Sequence, residues 1–428
     1  MIETLTEAPH PFKGTEIHTL PNGLKIILKS DPTVPVVALQ AWTRCGAIDE
    51  SPAIYGISHG LEHMVFKGTP TRTAGEITRA IEANGGSMNA ATQLETTHYY
   101  IDTPSYSVKT AIDVLADTLQ NPTFPQDELE RERLVILEEI HRRDDSPDAT
   151  LWDEFAAHVF RDTPYGIKVI GSVDTVSIMS RTDLQRYFKA HYMPANMCIV
   201  VAGDFRKGPV LKQLTKLFES QPYQKPPNTP DASGHLPVVP KRTVIEKPVQ
   251  LNYFAMGIPT VGFGDHDLVG LDLLADVLCG GASARFYQKL REDLQVVLSI
   301  ACDYIPFQQR GLFAFFGEAN PEKAQEALWR ITEEMDNLRK NPILKPELAR
   351  AKARMKSEWL HGSETPHGQA TTLGSLSVIG HIDLINTYLA QIDAMKPSDL
   401  MEVYGRHLEG NAFFSTMVVP GKAGKSAE

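Results

Sequence analysis

Residues 59–63 read His59-Gly60-Leu61-Glu62-His63, an H-x-x-E-H pattern. On a helix, positions i and i+4 lie on one face, so both imidazoles could reach one metal ion. Glu62 would then sit beside that ion rather than across from it. Two imidazoles suit zinc, which takes nitrogen and oxygen ligands in tetrahedral geometry and keeps one position open in catalytic sites. Such a site still lacks one protein ligand, and a carboxylate commonly supplies it. The candidates lie on ELERERLVILEEI, residues 128–140. Glu132 and Glu139 share a helix face two turns apart. Glu138 competes with Glu139 but points about 100° away. Leu134, Val135, Ile136 and Leu137 argue that much of this helix is buried, where a carboxylate needs a partner charge such as a metal. An ELERER run also reads as a salt-bridged, solvent-facing surface.

The elements that must position these residues form two similar halves. The first half opens with the strand-like runs GLKIILKS and PVVALQAWT, and the second with VQLNYFAMGI. Each continues through an apolar helical stretch to a further strand (THYYIDT; GLFAFFGEA). A helix pair follows in each half. VKTAIDVLADTLQNPTFPQDELERERLVILEEI resembles AQEALWRITEEMDNLRKNPILKPELARAKARMKSEWL, with Glu128 matching Glu347. The halves end alike, in YMPANMCIVVAGD and EGNAFFSTMVVPG. This spacing predicts an internal duplication, not a short-period solenoid, with each half an α+β sandwich of sheet and helices. The proline-rich stretch at 220–240 reads as a linker between a first domain at 1–219 and a second at 241–428. The second half has no histidine pair. Glu358 stands where Glu139 does in the repeat, without metal-binding company. HGSETPHG, residues 361–368, reads as a loop, and Gly280-Gly281 as a helix-ending turn.

Composition excludes other classes. The chain has 428 residues, 42% apolar and 22% charged, which is ordinary globular usage. A net charge of −11 speaks against nucleic-acid binding, which needs a basic footprint. Cys45, Cys198, Cys279 and Cys302 show no C-x-x-C spacing, so reduced, buried thiols are expected rather than a thiolate metal site or a disulfide framework. The chain opens without a basic segment followed by an apolar one, and no stretch approaches a membrane span. A cytoplasmic protein is the expectation, or a periplasmic one if the start is trimmed.

HGLEHMVFKGT with ERERLVILEEI downstream resembles the pitrilysin/insulinase family of zinc peptidases, whose motif is the inverted zincin pattern. The resemblance is closest to the branch of mitochondrial processing peptidase and its bacterial relatives. It extends to LPNGLKIIL, GAIDES, GGSMNAATQLETTHYY, PYGIKVIGS and HYMPANMCIVVAGDF, nearly the whole chain. It implies two similar α+β domains closing like a clamshell around a peptide, and one zinc ion per chain. His59 and His63 match the family's histidine ligands, Glu139 its distal glutamate ligand and Glu62 its general base. Glu132 matches a second glutamate that supports activity without binding metal. Asn89 and Ala90 match the strand segment where relatives hold substrate backbone. Relatives also carry a substrate-binding arginine–tyrosine pair in a stretch resembling GGxxSRLFxxLRExxGLAYS. This chain reads GGASARFYQKLREDLQVVLS, so Arg285 matches the substrate-binding arginine of the pair while the tyrosine place falls on Leu298. The implied function is zinc-dependent endopeptidase action on unfolded peptides or short protein segments. Tyr287 and Tyr304 are near in sequence, but neither occupies the matching place. The departure reads either as drift with a substitute donor or as division of labour within a dimer, in which a homologous, non-identical subunit supplies the intact pair. The competing reading is a non-catalytic structural or peptide-capture subunit, against which the complete His59–Glu62–His63–Glu139 set argues.

Overall fold

The computed structural model describes residues 10–232 and 240–421. The start of the chain and residues 233–239 of the expected linker lie outside the described residues. Contacts divide the chain into two compact, discontinuous units. The first comprises Met1–Glu138, Lys168–Thr229 and Trp359–Asn386, and the second Glu139–Ile167, Pro230–Glu358 and Thr387–Glu428.

The first unit holds a mixed six-stranded sheet of β1 (Glu16–Thr19), β2 (Lys25–Ser30), β3 (Val36–Thr43), β4 (Ser87–Thr92), β5 (Thr97–Pro104) and β6 (Met197–Gly203), in the order β1-β2-β6-β3-β5-β4. The second holds a five-stranded sheet of β7 (Arg242–Lys247), β8 (Asn252–Thr260), β9 (Ser299–Pro306), β10 (Gly311–Ala319) and β11 (Phe414–Pro420), in the order β7-β11-β8-β10-β9. Without β1, the two orders are the same permutation. Each sheet contains one parallel pair, β2 with β6 and β7 with β11, and is otherwise antiparallel. The duplication read from the helix pairs is therefore carried by the sheets as well.

The helices of the first half are α1 (Ile57–Val65), α2 (Ala74–Glu82), α3 (Val108–Gln120), α4 (Gln126–Asp145), α5 (Pro147–Val159), α6 (Val173–Ile178), α7 (Arg181–His191) and α8 (Lys207–Phe218). Those of the second are α9 (Leu268–Cys279), α10 (Ala324–Asp336), α11 (Lys345–Gly362), α12 (Pro366–Val378), α13 (Leu384–Ala394) and α14 (Pro397–His407). The repeated pairs are α3–α4 and α10–α11.

Two helices pack in the unit opposite to their place in the sequence. Helix α12 lies on β3 and β6, and α5 lies on β8 and β11. Both begin with proline behind a hydroxyl cap: the Ser146 side chain accepts from the Ala149 N–H, and that of Thr365 from the Gly368 N–H. Proline at the first helical position gives up only an N–H that has no helical partner. Pro366 therefore opens a helix, which corrects the expectation of a loop through residue 368. Gly374 on α12 allows the close approach, since a Cβ there would come within 2.1 Å of Trp42 Nε1. The Gly280 turn does end α9, with Gly281 at φ 87°. All four cysteines are buried and unbridged. Among the described residues, no helix is long and apolar enough to cross a membrane.

His98 lies on β5 with its ring stacked on Trp42, centroids 4.0 Å apart at 4°. Burial pushes its pKa down to about 4, with His367 adding to the effect. The group stays neutral in the fold and protonates near its ordinary value once unfolded. Its contribution to stability is therefore complete above pH 6.5 and lost as pH falls toward 4, up to about 3 kcal/mol. Between pH 7.5 and 5 the urea midpoint of metal-free His98→Phe should fall less, or rise more, than that of the metal-free parent chain. Equal pH dependence in both proteins would contradict it.

Candidate metal centre

Helix α1 carries the H-x-x-E-H residues, and its burial sorts them. Ile57, Ser58, Gly60, Leu61, Met64 and Val65 are buried, whereas His59, Glu62 and His63 are half-buried on the other side. The start of α1 is fixed twice. Gly56 adopts φ 92° and approaches the backbone of Ile170 and Gly171 too closely for a Cβ, which would come within 2.6 Å of the Ile170 carbonyl oxygen. The Glu50 carboxylate accepts the Gly56 N–H at 2.6 Å and the Ser58 N–H at 2.7 Å. It thus satisfies donors that a helix start leaves open. Burial pushes Glu50 up to about 8, against the pull of these donors. Glu50→Ala would orphan both N–H groups. The expected cost is about 1–3 kcal/mol, read by urea denaturation, together with weaker metal retention because His59 lies in the same first turn. Unchanged stability and metal retention would exclude this positioning role.

Helix α4 supplies the carboxylates. Potential ligand atoms of His59, His63 and Glu139 lie within 4.8 Å of one another. The His59 and His63 rings meet edge to face, centroids 4.7 Å apart. Glu139 is half-buried, while the competing Glu138 is exposed and outside the group. Two imidazoles and one carboxylate form a known catalytic zinc set that keeps a position open, so the donor chemistry fits the ion.

Glu132, two turns before Glu139, does something different. Its Oε2 lies 2.8 Å from His63 Nδ1 and its Oε1 2.5 Å from Lys67 Nζ. Burial raises its pKa, but the hydrogen bonds from Lys67 and His63 outweigh this and hold the carboxyl below its ordinary range. An ionised Glu132 is acceptor-only, so His63 Nδ1–H donates and the Nε2 lone pair is left for a metal. Lys67 escaped the sequence reading. It stands one turn after His63, a spacing that could have drawn attention to it.

The surroundings of α4 differ from expectation. Ile136 is buried, but Leu134 and Val135 are 66% and 45% exposed. The run Leu134–Leu137 circles the helix, so it cannot all face one core. Glu128–Arg131 and Glu130–Arg133 pairs line its outer side, as the salt-bridge reading expected.

A cavity of about 250 Å3 opens on the site, lined by Glu62, His63, Lys67 and Glu132 together with Asn89 and Ala90. The last two lie on β4, the edge strand of the first sheet. Edge strands expose backbone donors and acceptors. Here the Ala90 N–H donates to the Asn89 side-chain oxygen at 2.9 Å.

In the second unit, Glu358 pairs with Arg354 at 2.8 Å. Another acidic group, Asp265-His266-Asp267, is already supplied with cations: Asp267 accepts from Arg406 at 2.6 and 2.7 Å and contacts His407 Nε2 at 2.7 Å. Arg285 is held by the Glu347 carboxylate and by the carbonyl oxygens of Asn341 and Pro342. The guanidinium next to Leu298 is that of Arg291. Its Nε donates to the Leu298 carbonyl oxygen at 2.9 Å, and it lies over the Tyr287 ring, 4.7 Å from the centroid. Gln295 stands where the family stretch carries glycine and adopts φ 50°, a left-handed conformation that glycine tolerates best.

Residues 25–173 match the insulinase family, peptidase family M16, and residues 179–355 match the M16 inactive domain. An uncharacterized zinc protease of Streptomyces coelicolor is 30% identical over 370 residues, covering 85% of this chain and 80% of that protein. The chain belongs to peptidase family M16. An uncharacterized zinc protease of Bacillus subtilis is also 30% identical, over 81% of this chain and 84% of its own length. The crystal structure of a protease from Helicobacter pylori superposes with a TM-score of 0.88 at 26% identity, covering 95% of this chain and 99% of that one. A chain of complex III2 from Candida albicans shares the fold alone, with a TM-score of 0.81 at 14% identity.

Proposed function

We propose that this chain is a zinc-dependent endopeptidase acting on extended segments of unfolded peptides. The observation that carries this is the convergence of the His59–His63–Glu139 donor set with Glu62 and an edge strand lining the adjacent cavity. His59, His63 and Glu139 would hold the ion, and Glu132 with Lys67 would keep His63 in the ligating tautomer. A bound zinc ion would supply Lewis acidity for the scissile carbonyl and lower the pKa of a nearby water. Glu62 accepts the proton of the attacking water and returns it to the leaving amine. The substrate backbone pairs with β4, which gives affinity with little demand on sequence. Release of the Ala90 N–H by Asn89 frees one donor for that pairing.

The arginine–tyrosine pair bears on assembly. Leu298 has no hydroxyl to donate, and the bound state of Arg285 favours a structural role for it. Arg291 with Tyr287 is the in-chain substitute that its neighbours support. If so, the purified chain works alone, and Tyr287→Phe raises KM for peptides. Activity seen only after mixing with a homologous second subunit would instead favour divided labour between unlike partners.

Incubation of a quenched fluorescent peptide library with the purified chain tests the main reading. Turnover that chelator abolishes and zinc restores is the expected result. Binding without turnover would support a peptide-capture module, and neither would support a structural subunit.

A further inference from the structure

We propose that the first unit holds a second ligand site, a cavity where α3 and α8 begin, which takes an organic phosphate: a dianionic head on a flat apolar body. It shares no lining residue with the cavity at the metal centre, and it does not depend on the peptidase reading.

The cavity encloses about 600 Å3, a usual size for a small-molecule site. The first turns of both helices line it, α3 through Val108 and Lys109 and α8 through Pro209 and Val210. Neither helix start is capped by a side chain. The Ser107 hydroxyl, at the cap position of α3, is buried and has no hydrogen-bond partner among the described residues. Its chain neighbours Tyr106 and Val108 both line the cavity. Uncapped helix starts carry open N–H groups and a positive partial charge, which together favour a phosphate. Lys109 and Arg206 add two formal charges at the same cavity, and among the described residues neither is ion-paired. The sequence around α8 continues this bias. Residues 206–218 include Arg206, Lys207, Lys212 and Lys216 and no aspartate or glutamate, in a chain of net charge −11.

The body of the ligand follows from the walls. Pro32, Tyr106, Val108, Phe205, Pro209 and Val210 make them apolar. Tyr106 is 79% exposed, so the cavity offers a large uncovered ring. Its hydroxyl donates to the Asn84 carbonyl oxygen at 3.3 Å, which fixes the ring in place. Such a ring suits a flat partner. One carboxylate, Asp204, also lines the cavity. Two cations and two helix starts outweigh it, and it can accept a hydroxyl of the same ligand.

Calorimetric titration of the zinc-loaded full chain with 1-naphthyl phosphate, 1-naphthol and inorganic phosphate tests the site. The ester should bind more tightly than either of its parts. Lys109→Gln with Arg206→Gln should weaken the ester roughly tenfold and leave 1-naphthol unaffected. Tyr106→Ala should weaken the ester and 1-naphthol alike. All three positions are exposed, and matching urea midpoints check that the variants fold. Ester binding that survives the double substitution, as coordination to zinc would, overturns the proposal. Ester binding no tighter than that of inorganic phosphate means an adventitious ion only, and overturns it too. Cosedimentation with vesicles of phosphatidylglycerol and phosphatidylcholine separates two sources of the head. Vesicle binding that the double variant loses assigns a lipid headgroup, and ester binding without vesicle binding assigns a soluble phosphate. Either supports the site, and binding of neither refutes it.

Discussion

Glu62→Gln is expected to retain zinc at the level of the parent chain and to lose peptide turnover by about 10²–10⁴-fold, the usual contribution of a positioned proton acceptor. Glutamine keeps the shape of the side chain but cannot take a proton from water. Glu62 lies outside the His59–His63–Glu139 donor group, so ion binding should not depend on its charge. It is half-buried at the cavity, away from the packed side of α1, so the helix should hold its place. Single-turnover assays alongside metal analysis separate the two properties. A variant that keeps near-parental turnover would assign proton transfer to another group. A variant that loses zinc would make Glu62 part of the ion's binding set.

Glu139→Gln is expected to act on the ion itself. A neutral carboxamide removes one charged ligand of three, so zinc affinity should fall by more than the roughly 10–100-fold typical of outer-shell changes. Glu132→Gln provides the internal contrast. Its carboxylate contacts His63 Nδ1 and Lys67, so its loss should fall within that 10–100-fold range. Competition against a calibrated chelator reads both. Equal, small losses in the two variants would mean that neither is a ligand. A larger loss for Glu132→Gln would exchange their roles.

The candidate site was legible where it is local. His59, Glu62 and His63 sit within one stretch of helix, and helical period alone sorts them from Leu61 and Met64. The duplication was legible through the helix pairs, and both sheets repeat the same strand order. What escaped depends on contacts distant in sequence. Helices α5 and α12 pack in the unit opposite to their place in the chain, and nothing in their own periodicity says which sheet they cover. Glu50 reads as an ordinary acidic residue in a turn until its carboxylate is seen accepting the Gly56 and Ser58 N–H groups. Arg285 and Arg291 are indistinguishable as letters; only the surrounding carboxylate and carbonyl groups show that the first is tied down and the second borders Leu298. On α4, apolar residues in succession suggested burial, but four in a row must include outward positions, and Leu134 and Val135 occupy them.

Anomalous diffraction at the zinc edge, from crystals of the full chain supplied with zinc, tests the centre most directly. The expected result is one strong peak bonded by His59, His63 and Glu139 at about 2.0–2.2 Å, with Glu132 outside the coordination sphere. No peak at these residues, or a peak only at Asp265-His266-Asp267, would contradict it.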